Sequence, residues 1–294
     1  MIKQLPKQPL HRSDAMLCGT LMIAISLAAG FQVSTVSAQQ SSMPTLTVKR
    51  CADFSVTGQG DAAAWEQSQW QSMQRRGQNG HDYTARFKML YSANGVYVLF
   101  DGSDEVLTAT LDKDFADLWT EDVYECFFWT DEAHPIYFEY EISPLGYELP
   151  ILVPNLNGRF LGWRPWNYDG ARQVRKAVAI SGGPPQSMAK IDGWRAEVFI
   201  PFDLLKPLSN VPPKPGTRWR ANFYRIDYDG GRETQWDWAR VGINFHDFNN
   251  FGTVVFELCF ASWFPPLCLP SPSAAAIQAA TNRLSMRVAN RFAC

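Results

Sequence analysis

The sequence predicts an all-β chain: an antiparallel β-sandwich of jelly-roll-like type, preceded by a signal peptide and followed by an irregular or helical tail. Three observations carry that expectation. Short strand-like segments recur between residues 45 and 258 with turn residues between them. Aromatic residues are abundant, with 11 Trp, 10 Tyr and 19 Phe. Long amphipathic helical stretches are scarce, which points to stacked sheets rather than a mixed fold.

The N-terminus comes first. "MIKQLPKQPLHR" carries Lys3, Lys7 and Arg12, and "MLCGTLMIAISLAAG" (16 to 30) follows as a charge-free apolar run. Val36, Ser37 and Ala38 then offer small residues for cleavage, so residues 1–38 read as a secretory signal peptide. The run is shorter than the about 20 residues a membrane helix needs, and no stable span is expected after cleavage. The folded domain is expected over 39–258.

The strands follow in order. "YTARFKMLY" (83 to 91) and "VYVLFDG" (96 to 102) flank Asn94-Gly95, a strong hairpin signal. "DVYECFFW" (122 to 129), "IYFEYEIS" (136 to 143) and "GYELPILV" (146 to 153) come next. "RQVRKAVAI" (172 to 180), "GWRAEVFIP" (193 to 201), "WRANFYRID" (219 to 227) and "FGTVVFEL" (251 to 258) complete the set. "PFDLLKPL" allows a turn or two of helix. Residues 155–172 form a long insert with Trp163 and Trp166, and loops of that length are commonly functional. Residues 259–294 change character and are read as a tail.

Composition excludes some classes. A formal charge of −2 leaves no basic footprint for nucleic acid. After the signal, Cys51, Cys126, Cys259, Cys268 and Cys294 remain, an odd number with no CxxC spacing for a metal ribbon. Cys126 reads as a small core residue.

Strand alternation puts Val123, Glu125, Phe127 and Trp129 on one face and Tyr124, Cys126 and Phe128 on the other. Glu139 and Glu141 share a face, as do Arg195 and Glu197; Arg220, Asn222 and Tyr224 alternate with Ala221, Phe223 and Arg225. Acids and bases at period two among aromatics describe either a sheltered polar face suited to a sugar or a solvated face of cross-strand ion pairs. Glu125 could pair with Arg225 in the second case.

Trp119, Asp122 and Glu125 in "LWTEDVYECFFW", then "YFEYEISPLGYE", "GWRAEVFIPFDLL", "WRANFYRIDYD", "TQWDW" and "FHDFNNFGTVVF", taken in that order, resemble the family 9 carbohydrate-binding modules and their secreted relatives of the DOMON-like superfamily. The resemblance covers most of residues 45 to 258. It implies a sandwich with structural calcium that grips a sugar-chain end between two aromatic rings. Trp119 matches one ring, Glu125 the glutamate that binds hydroxyls, and Phe245 the position of the second ring, which is a tryptophan in the family. Glu141 stands where the family carries an arginine. Arg225 and Tyr224 are candidate donors, and Trp163 and Trp166 candidate extensions of the platform. In "DGSDE", Asp101 and Asp104 supply hard oxygens of the kind calcium takes.

The reading is therefore a non-catalytic, exported protein, periplasmic, extracellular or surface-associated, that binds a polysaccharide or oligosaccharide. Two alternatives stand beside it. One is a glycoside hydrolase with Glu125 and Glu141 as its carboxylates. The other is a haem-binding redox domain drawing axial ligands from His81, His134, His246, Met73 and Met89.

Overall fold

Residues 43–258 are described by a computed structural model. The expected signal peptide and the tail at 259–294 lie outside the described residues.

Eleven strands build the domain: β1 (Thr45–Arg50), β2 (Ala85–Tyr91), β3 (Gly95–Ser103), β4 (Val123–Trp129), β5 (Ile136–Ile142), β6 (Glu148–Leu156), β7 (Arg175–Ser181), β8 (Gly193–Pro201), β9 (Arg218–Asp227), β10 (Thr234–Asp237) and β11 (Gly252–Phe256). Two-residue ladders at the edges add to these, and one helical turn spans Phe202–Leu205. The hydrogen-bonded order is β6-β5-β4-β9-β11-β1-β2-β3-β8-β7, with β10 beside the end of β9. The Asn94-Gly95 hairpin forms as expected, pairing β2 and β3 antiparallel.

One seam departs from the antiparallel expectation. β1 pairs parallel with β11 through Thr45–Val48, then parallel with β2 through Lys49 and Arg50. This single strand carries the order from one layer to the other.

The core lies between the layers. Alternation turns Tyr124, Cys126 and Phe128 of β4 and Phe223 of β9 inward, against Phe87, Phe100 and Trp194 of β2, β3 and β8. Phe87 stacks on Phe223 at 3.6 Å, and Tyr124 lies 4.1 Å from Trp194, ring centre to ring centre. Each aromatic pair adds about 0.5–1.5 kcal/mol beyond its buried area. Cys126 is fully buried here, as are Trp236 and Trp238 nearly so.

The other faces of both layers are also covered. On β4, β5 and β6 a second apolar cluster of Val123, Phe127, Trp129, Tyr137 and Ile151 lies under Val241, Phe245, Phe248 and Phe251. On β3 and β8 a third cluster, Tyr97, Leu99 and Phe199, lies under Trp65.

Candidate functional site

The face of β4, β5 and β9 turned away from the core holds a cavity of about 450 Å³. Trp119, Glu125, Phe127, Glu139, Tyr228, Glu233, Asn244 and His246 are among its walls. A single turn at Leu118–Thr120 sets Trp119 at the rim, just before β4. Its carbonyl accepts from the Tyr228 hydroxyl at 3.1 Å, so the ring position is tied to the loop after β9.

Register explains the acids. Glu125 on β4 stands opposite Glu141 on β5 and Tyr224 on β9, and Phe127 opposite Glu139. Glu125 and Glu141 are each 2% exposed and Glu139 4%. The solvated-face alternative is thereby overturned, because the loop after β10 roofs this face.

Glu139 and Glu141 interact side chain to side chain on the same face of β5. Glu125 and Glu139 line the cavity; Glu125 is acted on only by burial and the neighbouring Glu141, and Oε2 of Glu139 has no hydrogen-bond partner among the described residues. Burial pushes all three carboxyls well above the usual range, and mutual repulsion adds to it. Glu141 does not line the cavity, so it cannot form a pair with Glu125 across a glycosidic bond there.

His246 sits against Glu139 at 3.7 Å. Burial lowers its pKa to about 4, so the imidazole is neutral at ordinary pH and this contact is not an ion pair. The Tyr137 hydroxyl shares a hydrogen bond with Nδ1 of His246 at 2.6 Å, and Phe160 stacks on the ring at 4.2 Å. Sequence reasoning missed His246, Glu139 and Phe160 as parts of this site; the period-two acids of β5 were the available signal for Glu139.

Several sequence-assigned residues fall elsewhere. Phe245 borders the cavity with one ring face stacked on Tyr224 at 4.0 Å and the Arg76 guanidinium 5.4 Å from the ring centre. Tyr224 is buried and its hydroxyl donates to the Phe245 carbonyl at 2.9 Å, while Asn222 donates to that hydroxyl. Arg225 points into the opposite face. It is fully buried and pairs with Asp104 at 3.0 Å and Asp227 at 2.8 Å, not with Glu125. Trp166 donates from Nε1 to the Leu204 carbonyl and Trp163 packs on the outer cluster; neither lines the cavity.

The buried ion pairs of Arg225 belong to a second constellation. Asp104, Asp122, Asp227 and Asp229 each place an oxygen within 4.8 Å of the others. Burial raises Asp104 to about 7 and lifts Asp122 and Asp227, with the Arg225 guanidinium opposing the rise. Four buried carboxyls surround one guanidinium, and such an all-oxygen donor set is what calcium requires. Asp104 is thus placed as a candidate ligand. Asp101 is not: its carboxylate is held by Arg195 at 2.7 Å and by Arg86 at 2.7 Å on the other layer.

The candidate haem ligands are scattered. Met73 and Met89 are in the inter-layer core, His246 is on the outer face, His81 contacts the Asp229 carbonyl, and His134 is exposed beside Asp131. No helix of the described residues is long and apolar enough to cross a membrane.

A two-layer β-fold with a roofed, acid-lined cavity on one outer face is the class that these observations define. Residues 56–149 match the family model described as carbohydrate family 9 binding domain-like, a similarity in line with the motif order of the sequence. A protein of Arthroderma benhamiae named an extracellular protein is 27% identical over 142 residues, 47% of this chain; the match spans 61% of that relative's length.

Solved structures share the fold. A candidate carbohydrate-binding protein of Bacteroides uniformis superposes with a TM-score of 0.61 at 18% identity, over 74% of this chain and all of that one. A family 9 module of Caldicellulosiruptor kristjanssonii in complex with cellotriose gives 0.53 at 17% identity over 76% of this chain and 99% of its own. The same organism's module with glucose gives 0.54 at 18% identity, over 76% and 100%.

Proposed function

We propose that this chain is an exported, non-catalytic carbohydrate-binding protein that holds a polysaccharide or oligosaccharide at the cavity beside Trp119. One observation carries the reading: Glu125 presents a buried carboxyl to a sugar-sized cavity rimmed by an indole. Sugar hydroxyls need acceptors and their C–H faces need an aromatic ring, and both are present. With Phe245 stacked on Tyr224, the binding is one-sided: Trp119 stacks, while Glu125 and Asn244 take the hydroxyls.

Export is supported by the N-terminal apolar run and by the extracellular relative. The four-aspartate constellation would hold structural calcium, tying the turn after β3 to the start of β4 and the end of β9. Calcium would neutralise the carboxylates there and takes no part in sugar contact. The family 9 neighbours solved with cellotriose and glucose make those sugars the first probes.

Titration calorimetry of the full chain with glucose, cellotriose and xylan oligosaccharides, with calcium present, tests the reading. Saturable heat that Trp119→Ala abolishes supports it. Absence of binding to any saccharide by a folded protein overturns it.

A further inference from the structure

The cavity that the proposed function uses is lined by acids and lacks a cation. Glu125 and Glu139 reach it from β4 and β5, and Glu233 stands exposed at the rim, where it accepts from the Gln235 amide. Glu141 lies behind them in contact with Glu139. From the roof comes His246, which burial keeps neutral. From β9 come Tyr224, a phenol already bonded to the Phe245 carbonyl, and the apolar Ile226; Tyr228 follows on the loop. On β5, the Tyr137 hydroxyl is engaged in a hydrogen bond with His246.

No arginine or lysine is among the cavity's lining residues, and the guanidinium over Phe245 is committed elsewhere. Arg76 lies over Phe245, but its Nη1 bonds Asp237 at 2.8 Å, and Arg240 bonds the same carboxylate at 3.1 Å. The acids do not converge on a metal either: among the described residues only the four aspartates bring three or more donors within 4.8 Å.

From this geometry we infer that the preferred ligand is a sugar bearing a free amine, such as a 2-amino-2-deoxy hexose unit, whose ammonium is received by Glu125 and Glu139. The inference rests on the sugar-binding reading above and narrows it. A neutral sugar gives the cluster only hydroxyl donors. An ammonium gives three donors and the missing positive charge, and hydrogen bonds between charged partners are roughly twice as strong as neutral ones. Uronic acids bring a carboxylate to a wall that offers it no cationic partner and are disfavoured. The raised carboxyls fit this picture, since a cluster that carries protons when empty gives one up when a cation arrives.

Calorimetry of the full chain against three β-1,4-linked trimers of matched length separates the possibilities: cellotriose, its 2-amino analogue and its 2-acetamido analogue. The 2-amino trimer is expected to bind about tenfold more tightly than cellotriose. At pH 6 its binding is expected to release a proton, read from the dependence of the heat on buffer ionisation enthalpy. Glu125→Gln erases that advantage, read as the ratio of the two affinities within the same variant, and removes the proton release. Glu233→Gln, at the exposed rim and harmless to folding, reduces the advantage by a smaller factor. Cellotriose binding as tightly as the amine overturns the inference and leaves the sugar-binding reading standing. Silence from all three trimers overturns both.

Discussion

Glu125 and Glu141 face each other across β4 and β5 as register partners, each 2% exposed. Two carboxyls so placed cannot both ionise freely, and with Glu139 they form a buried acidic cluster without an arginine or lysine at hand. Their raised pKa values come first from burial and then from one another. The sign of the pH effect follows. Above the ordinary carboxylate pKa of about 4.3 the folded chain holds protons that the unfolded chain has lost. Stability is fully present below that value and declines as pH rises through the raised values. Glu141→Gln is expected to flatten the decline and to unfold at higher urea than the parent at pH 8, with little difference at pH 5. Urea melts from pH 4.5 to 8 check this; parallel slopes in parent and variant would remove the cluster from the account.

Trp119 gives the second prediction. Its backbone carbonyl holds Tyr228, and an alanine keeps that bond while deleting the indole at the rim. Trp119→Ala is expected to weaken saccharide binding by about 2 kcal/mol, roughly thirtyfold in Kd, with the fold preserved. Phe245→Leu acts differently: it loses the stack on Tyr224 and lowers stability, so thermal melts move more than affinity does. Equal losses of affinity in both variants would restore the two-ring clamp.

Much of this architecture was legible in the sequence because strands advertise themselves by alternation and turns by Asn-Gly and Pro-rich breaks. The strands at 83–91, 96–102, 136–143 and 193–201 form within a few residues of their expected bounds. What alternation cannot reveal is the roof over a polar face. Glu125 and Glu197 carry the same signature in sequence. Yet Glu197 is spent on the amides of Thr57 and Gly58 and the indole of Trp65, whereas Glu125 is left open to a cavity. Both outcomes depend on segments far away in the chain. The four-aspartate constellation is similarly non-local, since "DGSDE" displays Asp104 while Asp122, Asp227 and Asp229 arrive through the pairing of β4 with β9. Arg225 could have been set aside earlier, because its parity on β9 opposes that of Tyr224, the register partner of Glu125.

The constellation of Asp104, Asp122, Asp227 and Asp229 supplies the third prediction. If it holds calcium, chelation removes a ligand that binds only the folded state. At a hundredfold excess over Kd such a ligand contributes about 2.7 kcal/mol. For a domain of this size that corresponds to a Tm lower by about 5–10 °C after chelation, restored by calcium. Asp122→Asn should abolish the calcium response while leaving the Trp119 cavity intact. A melting temperature indifferent to chelator and to added calcium would refute the assignment.

Arg225 is the final case, because its two readings differ in outcome. As a ligand-binding donor, its loss would lower sugar affinity and spare the fold. Its surroundings argue otherwise: the guanidinium is fully buried, bonds Asp104 and Asp227, donates to the Thr84 carbonyl at 3.1 Å, and lies over the rings of Tyr83 and Trp236. Gly102 is small for the same reason, since a Cβ there would come within 2.7 Å of Arg225 Nη1. Removing one partner of a buried charge pair costs about 3–5 kcal/mol, because the carboxylates left behind stay desolvated. Arg225→Met is therefore expected to lose stability on that scale in urea melts, with a partial rescue by calcium, which supplies replacement positive charge. The fraction that remains folded should bind saccharide with the parent's affinity, since the cavity opens on the opposite face of β9. A stable Arg225→Met protein with weakened sugar binding would return Arg225 to the ligand site.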